Sequence, residues 1–124
     1  MSALAPLLDP HLGPGVRRWD SPLAASYVGG AVRRAGGFFA HLDGGAVDTA
    51  AGFHDAVAAA LGFPAYYGRN LDALDDCLSD LEDEHPGARV LLWDSSQRLA
   101  APEPSVLAVA LELLGSRLTV LLRG

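Results

Sequence analysis

Lysine is absent from this chain, and its nine arginines stand against fifteen acidic residues, which gives a formal net charge of −6. Proteins that bind nucleic-acid backbones rely on basic residues whose phosphate contacts release counterions. The composition therefore argues against a nucleic acid as a direct ligand. It favours a basic partner, because opposite charges attract across a binding surface.

Cysteine occurs once, at Cys77, so an internal disulfide is excluded. Cys77 follows Leu74 by three residues on an apolar helical stripe, which predicts a buried structural thiol rather than a reactive one. A chain without disulfides is compatible with a reducing compartment.

Long hydrophobic runs are missing too. The longest apolar stretch, residues 106–122, is interrupted by Glu112 and Arg117, and we do not expect it to span a membrane. Residues 1–15 have no basic segment, and Asp9 and three prolines interrupt their apolar residues, so we expect no secretory signal there. These observations predict a soluble, cytoplasmic protein.

Catalytic and cofactor motifs are not recognisable. His54 beside Asp55 and His41 beside Asp43 are acid/base candidates, but adjacent side chains point in different directions, and nothing supplies a nucleophile or an oxyanion site. The glycines match no nucleotide-binding fingerprint. We therefore predict that the protein is not an enzyme and has no cofactor.

Four carboxylates could in principle hold a divalent cation, since oxygen ligands suit Ca²⁺ and Mg²⁺; they are Asp72, Asp75, Asp76 and Asp80. They fall on one predicted helix, however, without a loop that wraps a cation. Histidine and cysteine spacings typical of zinc sites are missing as well. The sequence therefore predicts no metal site.

A change of composition divides the chain near residue 36. Residues 1–36 are rich in proline and glycine, and we expect an N-terminal extension with a short strand at 16–20 and a helix that starts at Ser21 and Pro22. Residues 37–124 form the second unit. The extension could pack on that unit, extend its sheet or mediate self-association, and the sequence leaves these alternatives open.

Residues 37–124 follow the order β-α-α-β-α-α-β. Apolar runs predict three strands, at 38–42, 89–93 and 118–122. Helices are predicted between them, at 50–61, 71–84 and 95–100; a last one can begin at Pro102 or Pro104, continues over 106–114 and ends at Gly115. Strands separated by helical connections favour an α/β fold with a small three-stranded parallel sheet and helices packed against it.

Residues 63–83 carry most of the functional information. A loop with Tyr66, Tyr67 and Gly68 leads into a helix capped by Asn70. Leucines at the spacing of one buried face form a stripe along that helix, at Leu71, Leu74, Leu78 and Leu81. The helix is therefore amphipathic, and its other face carries acids.

Seven of the fifteen acidic residues lie between Asp72 and Glu84, with no basic residue among them. Like charges at helical spacing repel each other, and only Asp72, in the first turn, gains clearly from the helix dipole. Two interpretations stay open. The acids form either an ordinary solvated face or a binding surface, and the adjacent tyrosines favour the second.

The segment from Pro64 to Leu78 resembles the signature of the barstar family, whose members inhibit the ribonuclease barnase inside the cell. The residues that match in register are Tyr66, Tyr67, Gly68, Asn70, Leu71, Asp72, Ala73, Leu74, Asp76, Cys77 and Leu78. Farther on, the family's last helix is matched by Ser105, Val106, Leu107, Val109 and Glu112. The resemblance covers roughly residues 38–123 and implies a barstar-like fold.

The resemblance also implies a mechanism, in which the counterpart of Asp76 enters the ribonuclease active site at the position of a substrate phosphate. A carboxylate can do this because its two oxygens accept hydrogen bonds from the cationic groups that an RNase aims at its substrate. The partner-binding residues predicted in this way are Tyr66, Gly68, Asn70, Leu71, Asp72, Asp75, Asp76, Ser79, Asp80 and Glu112. Tyr67 is the better candidate for the core.

Two positions depart from the family pattern: Asp75 stands where barstar has a tryptophan, and Arg69 replaces an acid. Exchanging an aromatic anchor for a charge alters the surface that a partner meets. The partner therefore need not be barnase itself, and we expect salt-sensitive binding. The sequence predicts an inhibitor of a basic secreted ribonuclease; the alternative is an immunity module on the same fold that binds another basic protein, such as a non-RNase toxin.

Overall fold

The sheet has four parallel strands in the computed structural model, which describes residues 5–9 and 12–124. The strands are β1 (Gly15–Arg18), β2 (Phe38–Asp43), β3 (Arg89–Asp94) and β4 (Thr119–Arg123), in the spatial order β1-β4-β3-β2. All three strand pairs are parallel. The α/β class and the parallel sheet are therefore confirmed.

In the described part of the chain, five α-helices connect and cover these strands. They are α1 (Ala25–Arg34), α2 (Ala50–Leu61), α3 (Leu71–Glu84), α4 (Gln97–Ala100) and α5 (Pro104–Arg117), and a single 3-10 turn at Ala5–Leu8 precedes β1. The order β-α-α-β-α-α-β predicted for residues 37–124 is the order observed.

The prediction of three strands was wrong, because the N-terminal extension supplies a fourth. Val16 and Arg17 of β1 pair with Val120 and Leu121 of β4. The amide of Trp19 continues the pairing with a 2.9 Å hydrogen bond to the carbonyl of Leu122. Of the alternatives left open for the extension, the structure shows that it extends the sheet.

The sheet is covered on both faces, which explains why every residue of β3 and β4 between their polar ends is apolar. Leu91, Trp93 and Val120 face a large core shared with α2, α3 and α5. Val90, Leu92 and Leu121 alternate with them and face a smaller core that includes Val28 and Val32 of α1. The extension therefore covers one face of the sheet with α1 and adds β1 as an edge strand.

Two helix boundaries differ from the prediction. Helix α1 begins at Ala25 rather than at Pro22, because the Ser21 hydroxyl accepts from the Leu23 amide in a local turn instead of capping a helix. Helix α5 continues through Gly115 to Arg117. The glycine is a point of close approach, since a Cβ there would lie 2.7 Å from Cγ2 of Val16 on β1.

An arginine at the carboxyl end of the sheet ties the extension to it. The Arg123 guanidinium pairs with both carboxylate oxygens of Asp94, at 2.6 and 2.9 Å, and donates to the carbonyls of Ser21 and Leu23. The hydrogen bonds from Arg123 to its carboxylate hold the pKa of Asp94 below its ordinary value. The position of residues 21–23 thus depends on the last strand of the sheet.

Candidate functional site

Helix α3 is the scaffold of the candidate site, and its start is fixed by local chemistry. The Asn70 side-chain oxygen accepts from the Ala73 amide at 2.8 Å, which is the cap that the sequence predicts. Leu74, Leu78 and Leu81 are buried in the core shared with α2 and α5. The opposite face of the helix is consequently held at the surface.

Three carboxylates are exposed along that face, at Asp72, Asp76 and Asp80. They are four residues apart, so they follow one another along one side of the helix. None of them forms an ion pair with any residue in the described part of the chain. We call these three residues the acidic stripe.

Asp75 does not share this environment, although the sequence groups it with the other acids. Its carboxylate is half-buried and lies 3.5 Å from the guanidinium of Arg117 on α5. The same guanidinium donates to Glu82 at 2.8 Å, and Glu82 also contacts Arg89. Arginines outside the helix therefore neutralise this side of α3, and Asp75 lies outside the acidic stripe.

The remaining predicted residues lie on α3 itself, on the loop before it and on α5. Tyr66, on the loop before α3, is 83% exposed, and Gly68 and Asn70 are exposed beside it. Leu71 and Ser79 are half-buried on α3. Glu112 is exposed on α5, the helix that packs against α3. Exposure makes Tyr66 and Glu112 available to a partner but does not by itself assign them a role.

Tyr67 anchors the loop before α3 to the core. It is buried, as the sequence predicts, and its hydroxyl lies 2.6 Å from Nδ1 of the buried His54. Burial raises the pKa of Tyr67 to about 12. Burial, and secondarily the charge of Arg69, lowers the pKa of His54 below its ordinary value. The pair therefore links the loop to α2 through neutral groups.

The acid/base candidates from the sequence do not pair with their neighbours. Asp55 binds Arg69 at 2.5 Å instead of acting with His54, and His41 contacts Asp94 at 2.8 Å instead of Asp43. Arg69 has a left-handed backbone, with φ at 55°. Its positive charge, which departs from the family pattern, is thus offset within the chain. Sequence reasoning missed this pair because it joins a helix to a loop.

An open cleft of about 680 Å³ lies beside Asp72, where the first turns of α2, α3 and α5 meet. His54 and Val106 are among its lining residues.

Within residues 5–9 and 12–124, no cluster of three or more His, Cys, Asp or Glu side chains is arranged to hold a metal ion. No helix in the same range has the length and apolar character needed to cross a bilayer.

A comparison with known protein families matches the part of the chain that contains the acidic stripe. The sequence model of the family described as barstar, the barnase inhibitor, matches residues 37–119, which is more than half of the chain. The match includes β2, α2, α3, β3, α4 and α5 with the acidic stripe, and leaves out β1, α1 and all but the first residue of β4. No curated protein matches the chain significantly.

Proposed function

This chain belongs to the barstar family, and from that premise we propose that it inhibits a basic secreted ribonuclease by covering the active site with the acidic stripe. The family is one of protein inhibitors rather than enzymes. The surface that would act is the exposed face of α3 with the tyrosine loop in front of it.

One observation carries the proposal: Asp72, Asp76 and Asp80 are exposed and have no ion-pair partner in the described residues. Repulsion among these like charges, four residues apart on the helix, slightly destabilises the fold. A ribonuclease pocket presents cationic side chains to a phosphodiester, and a carboxylate offers such groups two anionic acceptor oxygens. A row of carboxylates on a helix would therefore imitate successive phosphates of RNA.

A rigid support strengthens this imitation. The cap at Asn70 and the buried leucines fix α3, and the His54–Tyr67 hydrogen bond fixes the loop that carries Tyr66. Groups that are already ordered lose little conformational entropy on binding. The carboxylates of the acidic stripe would thus already be ordered before the enzyme binds.

Within this surface we assign Asp76 the central position, in the ribonuclease active site, with Asp72 and Asp80 meeting basic groups on either side. Tyr66 would stack on a histidine or arginine of the enzyme, and Glu112 would meet a more distant basic residue. Gly68 would allow close approach. Asn70, Leu71 and Ser79 would pack at the edge of the interface. Asp75 contributes least, because Arg117 already compensates its charge.

Titration of RNA cleavage tests the proposal. Purified chain is added to barnase and to a set of other basic secreted ribonucleases, and cleavage of a fluorogenic RNA is followed. We expect stoichiometric loss of activity for at least one enzyme. The natural partner is also captured from the source cell and assayed for RNA cleavage. A captured basic protein without ribonuclease activity, together with no inhibition in the set, would contradict the proposal and support the alternative immunity role.

A further inference from the structure

A second cleft, of about 300 Å³, lies beside the C-terminal half of α3. Its apolar lining includes Leu61, Phe63 and Leu81, and its polar lining includes Asp80 and Glu84. Tyr66 also lines it, with a side chain that is 83% exposed. We call this the tyrosine cleft. It combines a hydrophobic wall, an aromatic ring and two carboxylates in one concave space.

The two acids of the tyrosine cleft are one helical turn apart, so their side chains lie on the same side of α3. Both residues are exposed, and neither has an ion-pair partner among residues 5–9 and 12–124. The charge of this cleft is therefore negative and uncompensated, which selects a cationic occupant. A basic ribonuclease provides such groups on its surface.

We propose that the tyrosine cleft binds an arginine side chain of the partner ribonuclease, as a specificity pocket beside the acidic stripe. This inference rests on the proposed function for the identity of the partner. The cleft is distinct in position from Asp76, because Asp76 does not line it.

Arginine suits the cleft better than lysine for three reasons. A guanidinium has five donors in a planar fork, which can bridge two carboxylates, whereas an ammonium is a compact point charge. Its flat face can lie over the Tyr66 ring. Its three-carbon stem can pack along Leu61 and Leu81, which form part of the apolar wall.

Cys77 provides a reporter for occupancy, because the only thiol of the chain also lines this cleft. It is half-buried. Burial, and then the nearby charges of Asp80 and Asp76, raise the pKa of Cys77. Alkylation of the free protein is therefore followed at mildly alkaline pH, where the thiolate fraction is larger. An occupant that fills the cleft would slow the reaction.

The first experiment uses N-acetyl-arginine amide as the probe and needs no ribonuclease. The probe is titrated into ¹⁵N-labelled protein, with the corresponding lysine amide as the comparison. We expect saturable shifts centred on Tyr66, Asp80 and Glu84, with slower alkylation of Cys77, and about fivefold weaker binding of the lysine amide. Shifts spread over all exposed acids, or equal binding of both amides, would overturn the proposal.

Matched variants locate the binding. Asp80→Asn and Glu84→Gln each remove one charge from the cleft, whereas Asp83→Asn removes one charge from an exposed residue of the same helix that does not line it. The first two should weaken arginine-amide binding about fivefold, and Asp83→Asn should leave it near the wild-type value. If all three variants weaken arginine-amide binding equally, the amide is attracted nonspecifically to α3, and the proposal of an arginine pocket is overturned.

The second experiment uses a ribonuclease that the chain inhibits, and it separates the two proposals. We expect Cys77 in the complex to be alkylated at least about tenfold more slowly than in the free chain, because the arginine blocks access. Tight inhibition with unchanged alkylation would overturn the cleft proposal and leave the inhibitor role standing. If no ribonuclease is inhibited, the inhibitor role fails, and the arginine-amide titration still decides whether the cleft binds arginine.

Discussion

The guanidinium of Arg117, in the last turn of α5, lies 3.5 Å from the carboxylate of Asp75 on α3. Asp75 follows Asp72 by three residues and precedes Asp76 directly, yet only Asp75 of these three has an ion-pair partner in the described part of the chain. The acids of α3 are therefore of two kinds. One side of the helix is neutralised by arginines, and the acidic stripe keeps its full charge.

This difference predicts that Asp75→Asn changes the affinity for an inhibited ribonuclease by less than about fivefold, since exposed ion pairs contribute about 1 kcal/mol or less. Isothermal titration of the two proteins measures the dissociation constant. Asp72→Asn removes the same charge from the stripe and serves as the comparison, with clearly weaker binding expected. If both variants lose affinity equally, the Arg117 pair does not shield Asp75 from the partner.

The buried histidine predicts a pH dependence of stability. An unfolded histidine takes up a proton near pH 6.5, whereas the lowered pKa of His54 delays protonation in the folded chain. Below about pH 6.5 the unfolded state therefore binds more protons. The stabilisation is complete above that pH and is lost as the pH falls toward the folded-state pKa.

Urea unfolding between pH 5 and pH 8 measures this effect. We expect the free energy of unfolding of the wild type to decrease toward pH 5 more steeply than that of His54→Asn, whose amide can still meet the Tyr67 hydroxyl. Identical slopes for the two proteins would show that His54 titrates normally in the folded state.

The N-terminal extension is predicted to be needed for stability of the rest of the chain. Without residues 1–36, the side chains of Val90, Leu92 and Leu121 would lose the cover that α1 provides. Burying an aliphatic side chain of this size contributes about 1.5–3 kcal/mol, so exposing three of them removes much of the stability of a small domain. Circular dichroism and ANS fluorescence of the 37–124 fragment measure the outcome.

Arg123→Met in the full chain is the milder companion variant. It removes the hydrogen bonds to Ser21 and Leu23 while the extension remains present. We expect faster amide exchange in residues 19–24 and an intact fold. The division of the chain at residue 36 stays a prediction until the stability of the 37–124 fragment has been measured. A fragment as stable as the full chain would establish 37–124 as an independent domain.

The sequence predicted the elements of residues 37–124 well, because periodic leucines and apolar runs are local signals. The cap at Asn70 and the burial of Tyr67 were also predictable from residue type and spacing. Cys77 proved to be half-buried rather than fully buried, since it lies at the border between the leucine stripe and the exposed face.

The start of α1 was missed because of a local turn at Ser21, whereas most other features that the sequence did not predict depend on contacts between separate segments. The pairing of β1 with β4 joins the extension to the last strand. The close approach of Gly115 on α5 to Val16 on β1 also joins the extension to a distant helix. Arg117 and Arg89 form the ion pairs of α3, and no local pattern connects them to Asp75 or Glu82. Composition alone therefore did not show that some acids of α3 pair with arginines while the acidic stripe does not.

The most direct measurement of the central claim compares Asp76→Ala with Asp20→Ala, which removes the same charge from an exposed residue of the extension. Affinity for an inhibited ribonuclease is measured at several salt concentrations. Hydrogen bonds to charged groups contribute about 1.5–3 kcal/mol, so Asp76→Ala should weaken binding at least about tenfold and reduce its salt dependence, while Asp20→Ala binds like the wild type. Equal affinities for Asp76→Ala and the wild type would contradict the account.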